Sequence, residues 1–256
     1  RMSIPSAEIA KVSLNAYITT KISFANMIAN VCERLPGGDV DAVTQVIGHD
    51  RRIAPYYFSG GLGFGGNCFP RDTRAFIALA RSVGVEPSLI EAVDAINTQQ
   101  DRLLYQTVLR LTKGVDNPTV GVLGLAFKPK TPVITASPSI TLVERLLADN
   151  LSVIAHDPLA HNEVQQRLGD DVFLCDTAEE CLARASVVVV CHRTDAYRAV
   201  IEAFRPVNPL TIVDPWRLIN PQHVDEQIRI VPLGKYVSSK DHSQNQSALP
   251  GECKRS

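Results

Sequence analysis

From residue 7 to residue 33 the chain contains no proline or glycine, and its polar positions recur at helical spacing. At 100° per residue Lys11, Asn15, Thr19, Asn26 and Asn30 fall on one stripe, with apolar residues around much of the remainder. A solvated face would carry Glu and Lys pairs, so a stripe of mostly uncharged groups reads as a buried polar seam facing a site or another helix. Pro36-Gly37-Gly38 ends this helix, and Asp39 can cap a short successor that runs to Ile47 and closes at Gly48. Beyond a glycine-rich stretch, Pro70 suits the first turn of a helix over 71–83. There Phe76, Ile77, Leu79, Ala80 and Val83 repeat with helical period until Gly84. A further long helix is predicted over 88–111.

Past Lys113-Gly114 the texture changes. Short, mostly apolar runs occupy 119–123, 151–155, 172–174, 187–191, 210–213 and 228–231, the last interrupted by Arg229. Four of the five gaps hold stretches that suit helices. Near-continuous apolar strands alternating with helices predict a parallel sheet covered on both faces. The expected fold class is therefore α/β. An all-helical domain spans residues 1–112, a Rossmann-like doubly wound parallel sheet spans 113–237, and a polar, aperiodic tail fills 238–256.

The chain has 256 residues, 45% of them hydrophobic and 21% charged, with a net charge of −1. That allows a sizeable core in one or two domains, and no charge excess points to nucleic acid or an anionic membrane. No apolar run reaches the roughly 18 residues of a spanning helix, and no signal peptide opens the sequence. The six cysteines are Cys32, Cys68, Cys175, Cys181, Cys191 and Cys253. They form no C-x-x-C pair, and their spacing suits neither a metal site nor a disulfide framework. No metal is expected, and a reducing cytoplasm fits best.

One cysteine stands apart. Residues 61–72 read Gly61-Leu62-Gly63-Phe64-Gly65-Gly66-Asn67-Cys68-Phe69-Pro70-Arg71-Asp72, a glycine loop that delivers Cys68 to a helix start with a carboxylate one turn on. The positive end of the helix dipole and the neighbouring Arg71 favour a thiolate, and Asp72 can steer a proton or a water at the same centre. Gly61, Gly63 and Gly66 satisfy G-x-G-x-x-G. That fingerprint works only after a strand in a βαβ unit, whereas this loop follows a helical segment and Tyr56-Tyr57-Phe58-Ser59. The glycines are better used to let backbone amides approach a ligand and to leave Cys68 uncovered. A second glycine turn, Val120-Gly121-Val122-Leu123-Gly124-Leu125-Ala126, does end a strand, but it lacks the triplet and continues into Phe127-Lys128-Pro129. A nucleotide can still bind at the strand carboxyl ends, where Lys128 is placed to meet an anion.

Three motifs, in order, resemble the UDP-glucose/GDP-mannose dehydrogenase family across residues 7–235: Lys11-x-x-x-Asn15 on a helix, Gly63 through Asp72, and Gly124-Leu125-Ala126-Phe127-Lys128-Pro129. The resemblance implies a central helical domain and a C-terminal Rossmann-like domain that helps hold a nucleotide sugar. The family's N-terminal NAD-binding domain is expected to be absent from a fragment or truncated chain. The implied reaction oxidises a sugar's primary alcohol at C6 to a carboxylate in two hydride transfers to NAD. By this resemblance Cys68 matches the nucleophile that turns the aldehyde into a thiohemiacetal and then a thioester. Lys11 and Asn15 match a helix-borne pair aimed at the oxygen that becomes negative, and Asp72 matches a carboxylate that positions or activates water.

Substrate contacts carry over as well. Arg52 resembles an arginine that reaches the adjacent subunit's substrate in a homodimer built on the central helices; a plain surface arginine beside Arg51 is the other reading. Phe64 and Gly65 match loop positions against the nucleotide sugar, Lys128 a lysine near it, and Arg217 in Asp214-Pro215-Trp216-Arg217 an anion contact. His156-Asp157-Pro158 resembles a structural strand-end turn. One departure is Pro132-Val133-Ile134-Thr135-Ala136-Ser137-Pro138, in which Thr135 replaces the family's arginine that touches NAD. Members acting on UDP-N-acetylmannosamine often carry His before the cysteine and Ile-Pro-Val-Asp after it, so Asn67 and Phe69-Pro70-Arg71-Asp72 lean toward UDP-glucose. The leading function is a UDP-glucose 6-dehydrogenase whose isolated fragment is inactive. The alternative is a non-catalytic, dimerising module that binds nucleotide sugar. A cysteine hydrolase finds no placed base, since His49, the nearest histidine, suits a solvated loop.

Overall fold

Helix α1 (Ile4–Cys32) starts before the predicted residue 7. Ser3 accepts from the Ser6 amide, and Pro5 lies in the first turn, where its missing N–H leaves nothing unpaired. Helix α2 (Val40–His49) is capped by Asp39, whose carboxylate accepts from the Asp41 amide at 2.9 Å. Helices α3 (Phe69–Ser82) and α4 (Ser88–Thr112) follow, and α1 packs on both. The computed structural model describes residues 1–237; the expected polar tail over 238–256, with Cys253, lies outside them. No helix of the described residues is long and apolar enough to cross a membrane.

The six predicted strands form one parallel sheet. They are β1 (Thr119–Leu123), β2 (Ser152–His156), β3 (Phe173–Leu174), β4 (Val187–Val190), β5 (Leu210–Asp214) and β6 (Ile228–Pro232), in the spatial order β3-β2-β1-β4-β5-β6. Helices α5 (Pro138–Ala148), α6 (His161–Leu168), α7 (Ala178–Arg184) and α8 (Asp195–Ala203) make the first four crossovers, and β5 runs to β6 without one. The all-valine run of β4 explains itself by packing. Val187 and Val189 face a core shared with α5 and α6, while Val188 and Val190 face one shared with α7 and α8. Each is at most 1% exposed, so the strand is buried on both faces and contributes about 1.5–3 kcal/mol per side chain. Arg229 is half-buried on the edge strand β6, the register position at which a charge is tolerated.

Leu104 and Val108 of α4 enter the α5 side of that core, so the helices and the sheet share one hydrophobic interior. A second join lies at the far end of the chain. The Val40 amide donates to the Gly234 carbonyl and the Tyr236 amide to the Gly38 carbonyl, both at 2.9 Å. Lys235 pairs with Asp39 at 2.9 Å, and Glu33 accepts from the Gly234 amide at 2.7 Å. Together these contacts hold the turn between α1 and α2 against the segment that follows β6.

Asp101, on α4, has a carboxyl that burial pushes up to about 6 against the opposing field of Arg145. An acid whose folded pKa lies above its unfolded value stabilises the fold while protonated. That contribution is full below about pH 4 and is lost as the pH rises through 6. Asp101→Asn is therefore expected to raise Tm at pH 7.5 by about 2–6 °C and to leave it nearly unchanged at pH 4. Differential scanning calorimetry at the two pH values checks the sign, and a lower Tm at pH 7.5 would contradict it.

Candidate functional site

The polar seam of α1 is buried at Thr19 and Asn26, half-buried at Asn15 and Asn30 and exposed at Lys11, and its partners are the glycine loop, α3 and α4. Asn26 accepts from the Gly61 amide at 2.8 Å and donates to the Leu62 carbonyl at 3.2 Å. Asn30 donates to Gln100, which donates in turn to the Gly61 carbonyl. Thr19 meets Thr73 at 3.4 Å. From α4, Asn97 clamps Phe64 at both ends, accepting from its amide at 2.7 Å and donating to its carbonyl at 3.0 Å. A loop without regular structure thus has its buried peptide groups paired by side-chain amides, which fixes its course.

Three of the glycines also let the loop press closely onto the sheet unit. A Cβ on Gly61 would lie 2.5 Å from the Trp216 ring, one on Gly65 2.1 Å from the Ala136 carbonyl oxygen, and one on Gly66 2.6 Å from the Phe127 ring. Their close approach is to the sheet unit, and Gly65 also borders the cavity described below. The loop is pressed onto the strand-end turns, and the Gly66 amide donates to the Thr135 carbonyl at 3.0 Å. Thr135 therefore serves the loop through its backbone.

Cys68 is the N-cap residue of α3 and is exposed, while Cys32, Cys175, Cys181 and Cys191 are buried. Burial pushes the Cys191 thiol up to about 12. One turn into α3, Asp72 is buried beneath Lys11, Asn15 and Arg71. Lys11 is ion-paired with Oδ2, Asn15 donates to the same oxygen at 2.6 Å, and Arg71 bonds Oδ1 through Nη2 at 2.9 Å. The hydrogen bond from Lys11, with those from Asn15 and Arg71, outweighs burial and holds Asp72 down to about 2. Lys11, Asn15 and Asp72 are thus brought together at the Cys68 end of α3, as the motif spacing suggested. At about 2 the Asp72 carboxyl stays ionised near neutral pH, and in this arrangement it anchors the two α1 side chains.

Beside this cluster lies a cavity of about 250 Å³ lined mainly by Tyr57, Phe64, Gly65, Phe127, Lys128 and Trp216. Phe69, the neighbour of Cys68, also borders it and meets Phe64 edge-on at 6.2 Å. Of the expected substrate contacts, Phe64, Gly65 and Lys128 line this space. Arg52 does not; it is 88% exposed and is held by Asp50. Arg217 does not either. Its side chain is 4% exposed and is bound to Asp41 at 2.7 Å, so the expected anion contact is replaced by an internal ion pair. His49, expected on a solvated loop, is instead the last residue of α2 and is bonded to the Gln45 carbonyl at 2.6 Å. Trp216, Asn97 and Asp41 were not singled out by the sequence. Trp216 is the chain's one tryptophan, which was the available signal. Asn97 sits among other polar groups on a long helix, and Asp41 reads as an ordinary first-turn acid.

The sheet unit does not fit a dinucleotide. In such a fold the first strand–helix turn cradles a pyrophosphate and an acid at the end of the second strand holds a ribose. Here the β2-end acid, Asp157, is 6% exposed and fills that turn itself. It accepts from the amides of Leu125 at 2.7 Å and Ala126 at 3.0 Å, and from those of Leu159 and Ala160. Burial alone would raise its pKa; those amides hold it below the ordinary carboxylate range. Gly124 packs against the ring of His192, whose Nε2 meets the Ala126 carbonyl at 2.8 Å.

Two family models match the chain. Residues 5–99 match the central domain of the UDP-glucose/GDP-mannose dehydrogenase family, and residues 121–221 match that family's UDP binding domain. The UDP-glucose 6-dehydrogenase AglM of Haloferax volcanii is 38% identical over 220 residues, which is 86% of this chain and 50% of the relative. The UDP-glucose 6-dehydrogenase TuaD of Bacillus subtilis is 41% identical over 67% of this chain and 37% of its own length. Among solved structures, the UDP-glucose dehydrogenase of Pyrobaculum islandicum superposes with a TM-score of 0.82 at 32% identity, covering 92% of this chain and 52% of that one. The chain spans about half the length of these relatives.

Proposed function

The chain belongs to the UDP-glucose/GDP-mannose dehydrogenase family, and from this we propose that it forms the substrate-binding and thiol-bearing part of a nucleotide-sugar 6-dehydrogenase acting on UDP-glucose. The observation that carries the reading is the aromatic cavity between the glycine loop and the strand ends, bordered by Phe69 next to the exposed Cys68. Phe64, Gly65, Phe127 and Trp216 supply apolar walls, and Lys128 supplies a cation for a diphosphate.

In this reading the Cys68 thiolate adds to the aldehyde carbon at C6. A C–S bond forms, the carbonyl pair moves onto oxygen, and Lys11 and Asn15, anchored by Asp72, stabilise the charge. After oxidation to a thioester, water attacks the acyl carbon, the C–S bond breaks and the thiolate leaves with the uronate formed. NAD is the hydride acceptor of these oxidations; the described residues offer it no fitting turn, and its steps are not assigned to them. The exposed face of α1, with Leu14, Tyr17, Phe24, Met27 and Val31 between 42% and 61% exposed, supports a homodimer through the central helices. Arg52, exposed though paired with Asp50, suits a reach to the partner's site. Free thiols throughout the described residues fit a reducing cytoplasm. The alternative, a non-catalytic dimerising unit that binds nucleotide sugar, draws its support from the dinucleotide misfit at Asp157.

Trp216 lines the cavity and is the chain's single tryptophan, so its emission reports occupancy. Titration with UDP-glucose is expected to give a saturable change, displaced by UDP and weaker with GDP-mannose. No response at millimolar UDP-glucose would overturn the reading. NADH formation on adding NAD would remove the non-catalytic alternative.

A further inference from the structure

Arg217 occupies the same strand-end turn as Trp216, with φ of 51°, and the two side chains point to different tasks. Trp216 lies against Gly61 and donates from Nε1 to the Cys191 carbonyl at 2.9 Å. Arg217 passes beneath the loop. Its Nε and Nη2 grip the two carboxylate oxygens of Asp41 at 3.0 and 2.7 Å, the fork geometry that suits a guanidinium. Nη2 also donates to the Ser59 carbonyl at 2.8 Å and the Gly60 carbonyl at 3.3 Å, and Nη1 to the carbonyls of Pro215 and Leu233. A guanidinium has five N–H donors, and all are engaged. Ser59 and Gly60 are themselves walls of the cavity, whereas neither Asp41 nor Arg217 lines it.

We propose that the Asp41–Arg217 pair is a clasp that fixes the Ser59–Gly61 wall against Trp216, making Arg217 a positioning residue that sets nucleotide-sugar affinity without touching the ligand. The ligand's identity rests on the function proposed above; the clasp itself does not. An arginine that bound the diphosphate would have to leave Asp41. Removing the charge of Asp41 would then leave affinity unchanged or improve it. In a clasp the same change loosens the wall and weakens binding. The two roles predict opposite signs for one substitution at a residue outside the cavity.

Asp41 is 46% exposed in its side chain, so Asp41→Asn is expected to fold, as checked by circular dichroism. In the full chain its Kd for UDP-glucose, read by Trp216 emission, is expected to rise roughly threefold to thirtyfold. Arg217→Lys, which keeps the charge but loses the fork, is expected to match it, and the double variant to be no worse than either single one. Lys235→Ala is the control: it breaks the tie to Asp39, which joins the same two units away from the cavity, leaves the Asp39 cap on the Asp41 amide in place, and is expected to lower Tm without changing Kd. Affinity kept or improved in Asp41→Asn overturns the clasp. A ligand-free measurement keeps the test independent of the substrate: acrylamide quenching of Trp216 is expected to increase in Asp41→Asn. Failure of the wild type to bind UDP-glucose with that increase present rejects the substrate and retains the clasp; unchanged quenching rejects the clasp.

Discussion

Replacing Cys68 by alanine is expected to erase the chain's preference for an aldehyde over an alcohol at C6 of its ligand. The wild-type thiolate can form a reversible covalent bond to the aldehyde of the UDP-sugar, which UDP-glucose cannot accept, so the aldehyde should bind more tightly by about tenfold or more. Cys68 is the exposed thiol among the described cysteines and borders the cavity only through Phe69. Its removal should therefore leave UDP-glucose affinity nearly unchanged. The two affinities should then converge in Cys68→Ala. In a polypeptide that carries the complete activity, the same change is expected to cut uronate formation on the order of a thousandfold or more, since loss of a nucleophile removes the intermediate and not just a contact. Tight aldehyde binding that persists in the alanine variant would show that another group makes the adduct.

Gly65→Ala is expected to be nearly as severe, for a steric reason. The added Cβ would stand 2.1 Å from the Ala136 carbonyl oxygen and 3.0 Å from its carbon. Both are backbone atoms in a turn where Ala136 already has φ of 48°, so neither can yield as a flexible side chain does. The loop must lift, which breaks the hydrogen bond from Gly66 to Thr135 and opens the wall formed by Phe64. A loss of about 2–4 kcal/mol in stability follows, a Tm lower by about 5–12 °C, together with at least a tenfold weaker response to UDP-glucose. Gly84→Ala supplies the comparison, because its Cβ meets nothing within 4 Å and only the strain of its φ of +76° remains. Calorimetry and Trp216 titration on both variants separate backbone strain from collision. Wild-type affinity in Gly65→Ala would mean that the loop is free to move.

The strands were legible because burial on both faces leaves a continuous apolar mark, as in Val187 to Val190, and the helices because their breakers are glycine and proline. The seam on α1 was legible as a pattern, since amides on an otherwise apolar helix need partners. Which partners they find was not. Asn26 meets Gly61 and Asn30 meets Gln100 across 35 and 70 residues of chain, and no local periodicity encodes such a pairing. Arg217 shows the limit most plainly. The sequence places it in a turn at a strand end, where an anion contact is reasonable. The carboxylate that takes it lies 176 residues earlier. The glycine loop stands out in the sequence as a candidate site, but its glycines answer to Trp216, Ala136 and Phe127, surfaces that exist only after folding.

The join between Gly38 and Tyr236 has a further consequence for how the molecule is made. It links positions nearly two hundred residues apart, and contacts of that separation close late, since the intervening chain must be ordered before they repay its entropy. The helices that carry Lys11, Asn15 and Cys68 can form early from local interactions. The wall opposite their loop is supplied by the strand-end turns that carry Phe127, Lys128 and Trp216. The chamber that borders Phe69 is thus walled only once the turns carrying Phe127 and Trp216 are in place, which ties its formation to the closing of the sheet.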